Sequence, residues 1–200
     1  MCWMAGKTPG LAAELALRDR FAMRVHSSQP FDRYCVIKMD PGEKRNTDQF
    51  AAGPFRPHGR VDIWAEGNVM RLDAVGPFNK EVVIALGATW NNLFDEMPVH
   101  GPFANIIVLR RSVVVSQEVL DAFGEFLHAN NRAGRGASAV AFVVAPDVEG
   151  RSLMLPMFAA TYAAAGRLFA AFETEAEADV WVRARLTENP ARPQVPTDAN

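Results

Sequence analysis

From Arg60 onward, short apolar runs alternate with longer stretches in which apolar residues recur every third or fourth position. Val61–Ala65, Val69–Ala74, Asn105–Leu109, Ala137–Ala145 and Leu168–Phe172 have strand length. The stretches between and after them carry helical spacing. Strands that alternate with helices of about ten to fifteen residues need crossover connections, and such connections build a largely parallel sheet. The expected class is therefore α/β, with a single mixed, mostly parallel sheet entered through an antiparallel N-terminal hairpin. The expected order is β-β-α-β-α-β-α-β-α.

Local signals mark the joints. Glu66-Gly67-Asn68 is a turn between the first two runs, and Gly76-Pro77 breaks the second. Asn79 is placed to cap a helix whose apolar face is Val83, Leu86, Trp90, Leu93, Phe94 and Met97, ended by Pro98 and Gly101-Pro102. Asn105–Leu109 reads as a strand buried on both faces, with Arg110–Val115 continuing in extended form. Ser116 caps the next helix, whose stripe is Val119, Leu120, Phe123, Phe126 and Leu127. After the loop Asn130–Gly136 and the strand Ala137–Ala145, a third helix is expected over Leu155–Ala165, with Pro156 in its first turn and Gly166 at its stop. In the ending RLFAAFETEAEADVWVRARL, Leu168–Phe172 reads as a short buried strand. Thr174 and Glu177 form a capping box, and Ala176, Val180, Trp181 and Ala184 mark the apolar face of the last helix.

The rest of the chain differs. Residues 1–59 carry little periodicity and are rich in Pro, Gly and charge, apart from a short amphipathic stretch over Leu11–Val25. They read as an irregular, disordered N-terminal extension, with Met23 and Met39 as alternative starts, or else as a flexible arm that binds a partner. Residues 60–187 form the domain, and 188–200 a flexible tail. Glu14, Arg18, Asp19 and Arg20 interrupt any apolar core of a signal peptide. Nothing approaches the about 20 apolar residues that cross a bilayer. The formal charge of −2 offers no basic excess for nucleic acid. Cys2 and Cys35 form no CxxC pair, so a reducing cytoplasm is the expected compartment.

The hairpin entry VDIWAEGNVMRLDAVGPFN, the passage IIVLRRSVVVSQEVLDAF and the ending LFAAFETEAEADVWVRARL together resemble the STAS fold of anti-sigma-factor antagonists and the sporulation-protein-AA-like family, with CRAL-TRIO lipid-transfer domains showing a kindred arrangement. The resemblance spans about Val61–Leu186. It implies a bacterial, non-enzymatic regulatory domain that docks another protein. The antagonists carry a phosphorylatable Ser in an Asp-Ser-Ser-Gly-like turn at a helix start. Ser116 in VVSQEV stands at the matching point, without the Asp and Gly.

Four residues are candidate binding groups. A phosphate on Ser116 would sit at a helix N-terminus that favours an anion, although capping alone explains that serine. Arg110, with Arg111 beside it, ends a central strand at the edge where open α/β sheets take ligands. Arg132 and Arg135 lie in NRAGRGA, but this loop follows a helix, whereas phosphate loops follow a strand. The four histidines show no ligand spacing, and no nucleophile elbow or paired carboxylates appear. No catalytic residue, metal or other cofactor is expected. Partners are expected to be another protein, a second copy of the chain, or a small apolar ligand. For the last, Met154, Met157, Phe158 and Tyr162 would line a cavity if they were not simply core.

Overall fold

The computed structural model describes residues 43–51, 55–96 and 101–188. The expectations for the Leu11–Val25 helix, both cysteines, Met97, Pro98 and the tail from 189 lie outside the described residues. The strands are β1 (Arg45–Asn46), β2 (Arg60–Glu66), β3 (Val69–Val75), β4 (Ala104–Arg110), β5 (Ala139–Val144) and β6 (Leu168–Phe172). The helices are α1 (Lys80–Glu96), α2 (Gln117–Arg132), α3 (Arg151–Ala164) and α4 (Glu175–Glu188), with a 3₁₀ turn at Thr47–Phe50.

Strand order in space follows chain order, β1 through β6. β1 to β3 pair antiparallel, and β3 to β6 pair parallel. The expected mixed sheet with its antiparallel hairpin is thus the observed architecture. β1 and the 3₁₀ turn are additions ahead of the expected order. Thr47 is buried there, and its hydroxyl accepts a hydrogen bond from the Val61 N–H at 3.0 Å.

A parallel sheet that grows in one direction by right-handed crossovers places every crossover helix on one face. Accordingly α1, α2 and α3 share a face. Leu86 and Trp90, Leu120 and Leu127, and Phe158 and Tyr162 pack there on Ile63, Leu72, Ile107 and Phe142. No strand follows α4 among the described residues. This helix folds onto the other face, where Ala104, Ala139 and Ala141 leave room for Ala178, Val182 and Leu186 to approach. Arg71 of β3 pins that helix, donating to both carboxylate oxygens of Asp179 at 2.9 and 2.7 Å while also pairing with Glu66.

The expected caps form. Asn79 Oδ1 accepts from the Val82 N–H at 3.2 Å. Thr174 and Glu177 bond each other's backbone N–H reciprocally at 3.3 and 3.2 Å.

Five local expectations differ from the structure. α2 runs on to Arg132, so Asn130, Asn131 and Arg132 are helical and the expected loop over Asn130–Gly136 begins only after them. β4 stops at Arg110 because Arg111 turns into the left-handed region (φ 67°). The extended run expected over Arg110–Val115 is replaced by a return in which the Val113 N–H bonds the Glu149 carbonyl at 2.9 Å. α3 starts at Arg151, so Pro156 lies inside it rather than in its first turn. Gly150 makes this start possible: at φ 79° its carbonyl accepts from Leu153 and Met154, and a Cβ there would strike Val114. β6 is an edge strand, and Leu168 is 52% exposed. In α4 the buried stripe is Ala178, Val182 and Leu186, whereas Val180 is 73% exposed.

Candidate functional site

Between the sheet and the first turns of α1 and α2 lies a chamber of about 80 Å³ with an entirely apolar wall. Each wall residue follows from the period of its element. Leu72 and Ala74 of β3, and Ile107 and Leu109 of β4, alternate toward the helices. Val82, Val83 and Leu86 face them from α1, and Val119 and Phe123 from α2. Val61, Phe142 and Phe158 complete the wall, while half-buried Phe78 and Val115 stand where the chain enters α1 and α2. The chamber therefore lies toward the carboxyl ends of β3 and β4, the region where open α/β sheets accept ligands.

A second space of about 20 Å³ adjoins it toward the amino ends of the strands, sharing Leu72, Leu86, Ile107 and Phe123 as common wall. Its lining is mixed: Trp90, Asn105, Asn130, Tyr162 and Arg167 bring polar groups to it. Arg167 is buried, donating to Asn131 Oδ1 at 3.0 Å and to the Leu127 carbonyl at 3.1 Å. Burial pushes the Tyr162 hydroxyl far above its ordinary pKa, and the nearby Arg167 charge opposes this only in part.

The residues singled out from sequence lie elsewhere. Ser116 is exposed and caps α2, its Oγ accepting from the Val119 N–H at 3.4 Å. Arg110 donates to Asp73 at 2.8 Å, and that hydrogen bond and charge hold its guanidinium above the ordinary pKa. Arg132 is exposed in the last turn of α2. Arg135 donates to Asp95 at 2.7 Å and Asn91 at 3.0 Å, and sits 5.8 Å from the Phe94 ring centre. α2 runs back against β4, so its two ends are separated by about 24 Å at 1.5 Å per residue. Arg110 and Ser116 thus lie at the carboxyl edge, Arg132 and Arg135 at the opposite edge, and the four do not meet.

Of the residues named as cavity candidates, Phe158 lines the chamber and Tyr162 the polar space, while Met154 is fully buried in the core. Sequence reasoning passed over Asn105 and Arg167. Each had a signal: Asn105 is the one amide in an otherwise apolar strand, and Arg167 stands immediately ahead of one. Among the described residues, no group of three or more His, Cys, Asp or Glu is arranged to hold a metal. No helix among them is long and apolar enough to cross a membrane. No family model matches the chain, and no curated protein matches it.

Proposed function

We propose that this domain is a non-catalytic binding module that takes a small apolar ligand in the chamber under α1 and α2. The observation that carries this reading is the fully apolar wall at the carboxyl ends of β3 and β4. The space of about 80 Å³ is partly open to solvent, and its apolar side chains face a volume that an apolar ligand of matching size would fill. An apolar cavity of about 150 Å³ admits benzene. The smaller volume here suits a narrower group, such as the end of an alkyl chain, or a small ring once Phe78 and Phe123 swing aside. The kinship in arrangement with CRAL-TRIO domains is consistent with such a ligand.

A second reading is docking of another protein, as the resemblance to STAS domains implies. Its support is the chain-ordered sheet and two exposed apolar side chains, Val114, two residues ahead of Ser116, and Leu153 in the first turn of α3. The two readings separate in one experiment. Nuclear magnetic resonance titration with propane, slim enough for the volume, should give saturable shifts at Val83, Leu86 and Val119, absent in Leu86→Phe, which fills the chamber. Unchanged spectra up to the solubility limit of propane would sink the ligand reading. A partner captured by the wild-type chain and by Leu86→Phe, but lost from Val114→Asp/Leu153→Asp, would establish docking instead.

A further inference from the structure

Two buried polar atoms beside the chamber have no hydrogen-bond partner among the described residues: Nε1 of Trp90 and Oδ1 of Asn105. The residues are 3% and 6% exposed, so bulk water does not satisfy them. They come from different elements, Trp90 from the second half of α1 and Asn105 from the start of β4, and both line the same polar space. One atom is a pure donor and the other a pure acceptor. A carbonyl group placed there would satisfy the indole and leave the amide oxygen bare. An ammonium would do the reverse. A hydroxyl group satisfies both, since its oxygen accepts and its hydrogen is donated.

We propose that the space between Trp90 and Asn105 is a hydroxyl-binding site. Its volume of about 20 Å³ admits one group the size of a water molecule. Two sources share that chemistry. One is an internal water. The other is the head of a small alcohol or phenol whose apolar body would occupy the adjoining chamber once the shared side chains Leu72, Leu86, Ile107 and Phe123 give way; this source rests on the ligand reading above. In that case the ligand class narrows from apolar to apolar with one terminal hydroxyl.

The test uses the full chain labelled with ¹⁵N at its four tryptophans. The Trp90 indole signal is assigned by its loss in Trp90→Phe. A cross-peak between that N–H and water in the free protein supports the site with water as its occupant. Phenol and benzene, which differ by one hydroxyl, are then titrated. Phenol should bind about tenfold tighter, shift the Trp90 indole signal and remove any water cross-peak. Asn105→Leu should abolish the preference while keeping the affinity for benzene. Should that variant fail to fold, Trp90→Phe carries the same comparison of affinities. A water cross-peak with neither compound binding leaves the hydroxyl site standing and ends the small-ligand reading. Absence of a cross-peak, together with equal affinities for phenol and benzene or no binding of either, overturns the proposal; equal binding in that case leaves the apolar chamber as a binding site.

Discussion

Tyr162 shows how one side chain ties stability to pH. It is 1% exposed and surrounded by rings, with Phe169 at 4.9 Å and Phe123 and Phe142 at 5.6 Å between centroids. A tyrosinate there would lose its hydration, so the folded state holds the proton above the unfolded value of 10.0. A folded pKa raised above the unfolded one contributes stability that is complete below pH 10 and lost as pH rises through and beyond it. The loss proceeds at about 1.4 kcal/mol per pH unit. Urea midpoints measured from about pH 9 to pH 11 should fall steeply above pH 10, and Tyr162→Phe should flatten that limb. In Tyr34→Phe, where Tyr162 is the remaining tyrosine, tyrosinate absorbance should rise only as the chain unfolds. Absorbance rising ahead of unfolding would show the hydroxyl to be in reach of water. The same burial that forbids ionisation keeps Tyr162 beside the polar space, so its stability role and its place near the candidate site have one cause.

Among the elements, α3 is the one whose sequence contradicts its conformation. Pro156 at its sixth position lacks the N–H that would bond the Ser152 carbonyl. Its ring is exposed, as is Ser152, so water can satisfy the freed carbonyl and the helix survives. The expected start at Leu155 followed from assigning Pro156 to a first turn, where proline is at home. Packing outweighs that preference: Met154 lies in the first turn of α3 and is 2% exposed, so starting the helix later would unwind a core residue. Pro156→Ala should therefore stabilise the protein by up to about 1 kcal/mol, the restored hydrogen bond being offset by a looser unfolded chain. A drop in melting temperature in that variant would mean that the ring itself packs. α4 teaches a related lesson. Ala176 and Val180 recur at helical spacing as well as Ala178 and Val182 do, so periodicity alone does not choose between the stripes. The Arg71–Asp179 pair and the alanine-lined sheet choose the second.

At the scale of the molecule, the sheet is ordered by the chain and closed at its N-terminal edge by β1, with only two residues. Thr47 couples that edge to β2, and removing it would leave the buried Val61 N–H without its acceptor. Because water reaches that N–H once β1 and the turn are gone, a chain beginning at His58 should be less stable than one beginning at Glu43 by about 0.5–1.5 kcal/mol from that bond alone, read as the difference in urea unfolding free energy. Equal stabilities would show β1 and the 3₁₀ turn to be ornamental. The sheet also explains why the candidate site sits where it does. Three crossover helices crowd one face, and two separate spaces lie between the α1–α2 pair and β3–β4, an apolar one toward the carboxyl ends of the strands and one with polar lining toward the amino ends.

What the amino-acid order determined by itself was local: the run lengths that make strands, the spacings that make helices, the caps at Asn79, Ser116 and Thr174, and through the crossovers the parallel sheet. Those features depend on neighbours within one or two turns. The meeting of Trp90, Asn105, Tyr162 and Arg167 around one space, the separation of Arg110 and Ser116 from Arg132 and Arg135, and the choice of buried stripe in α4 were decided only by the tertiary structure. Each depends on strand register and helix direction, which bring together residues far apart in sequence, and no period within a single element encodes that distance.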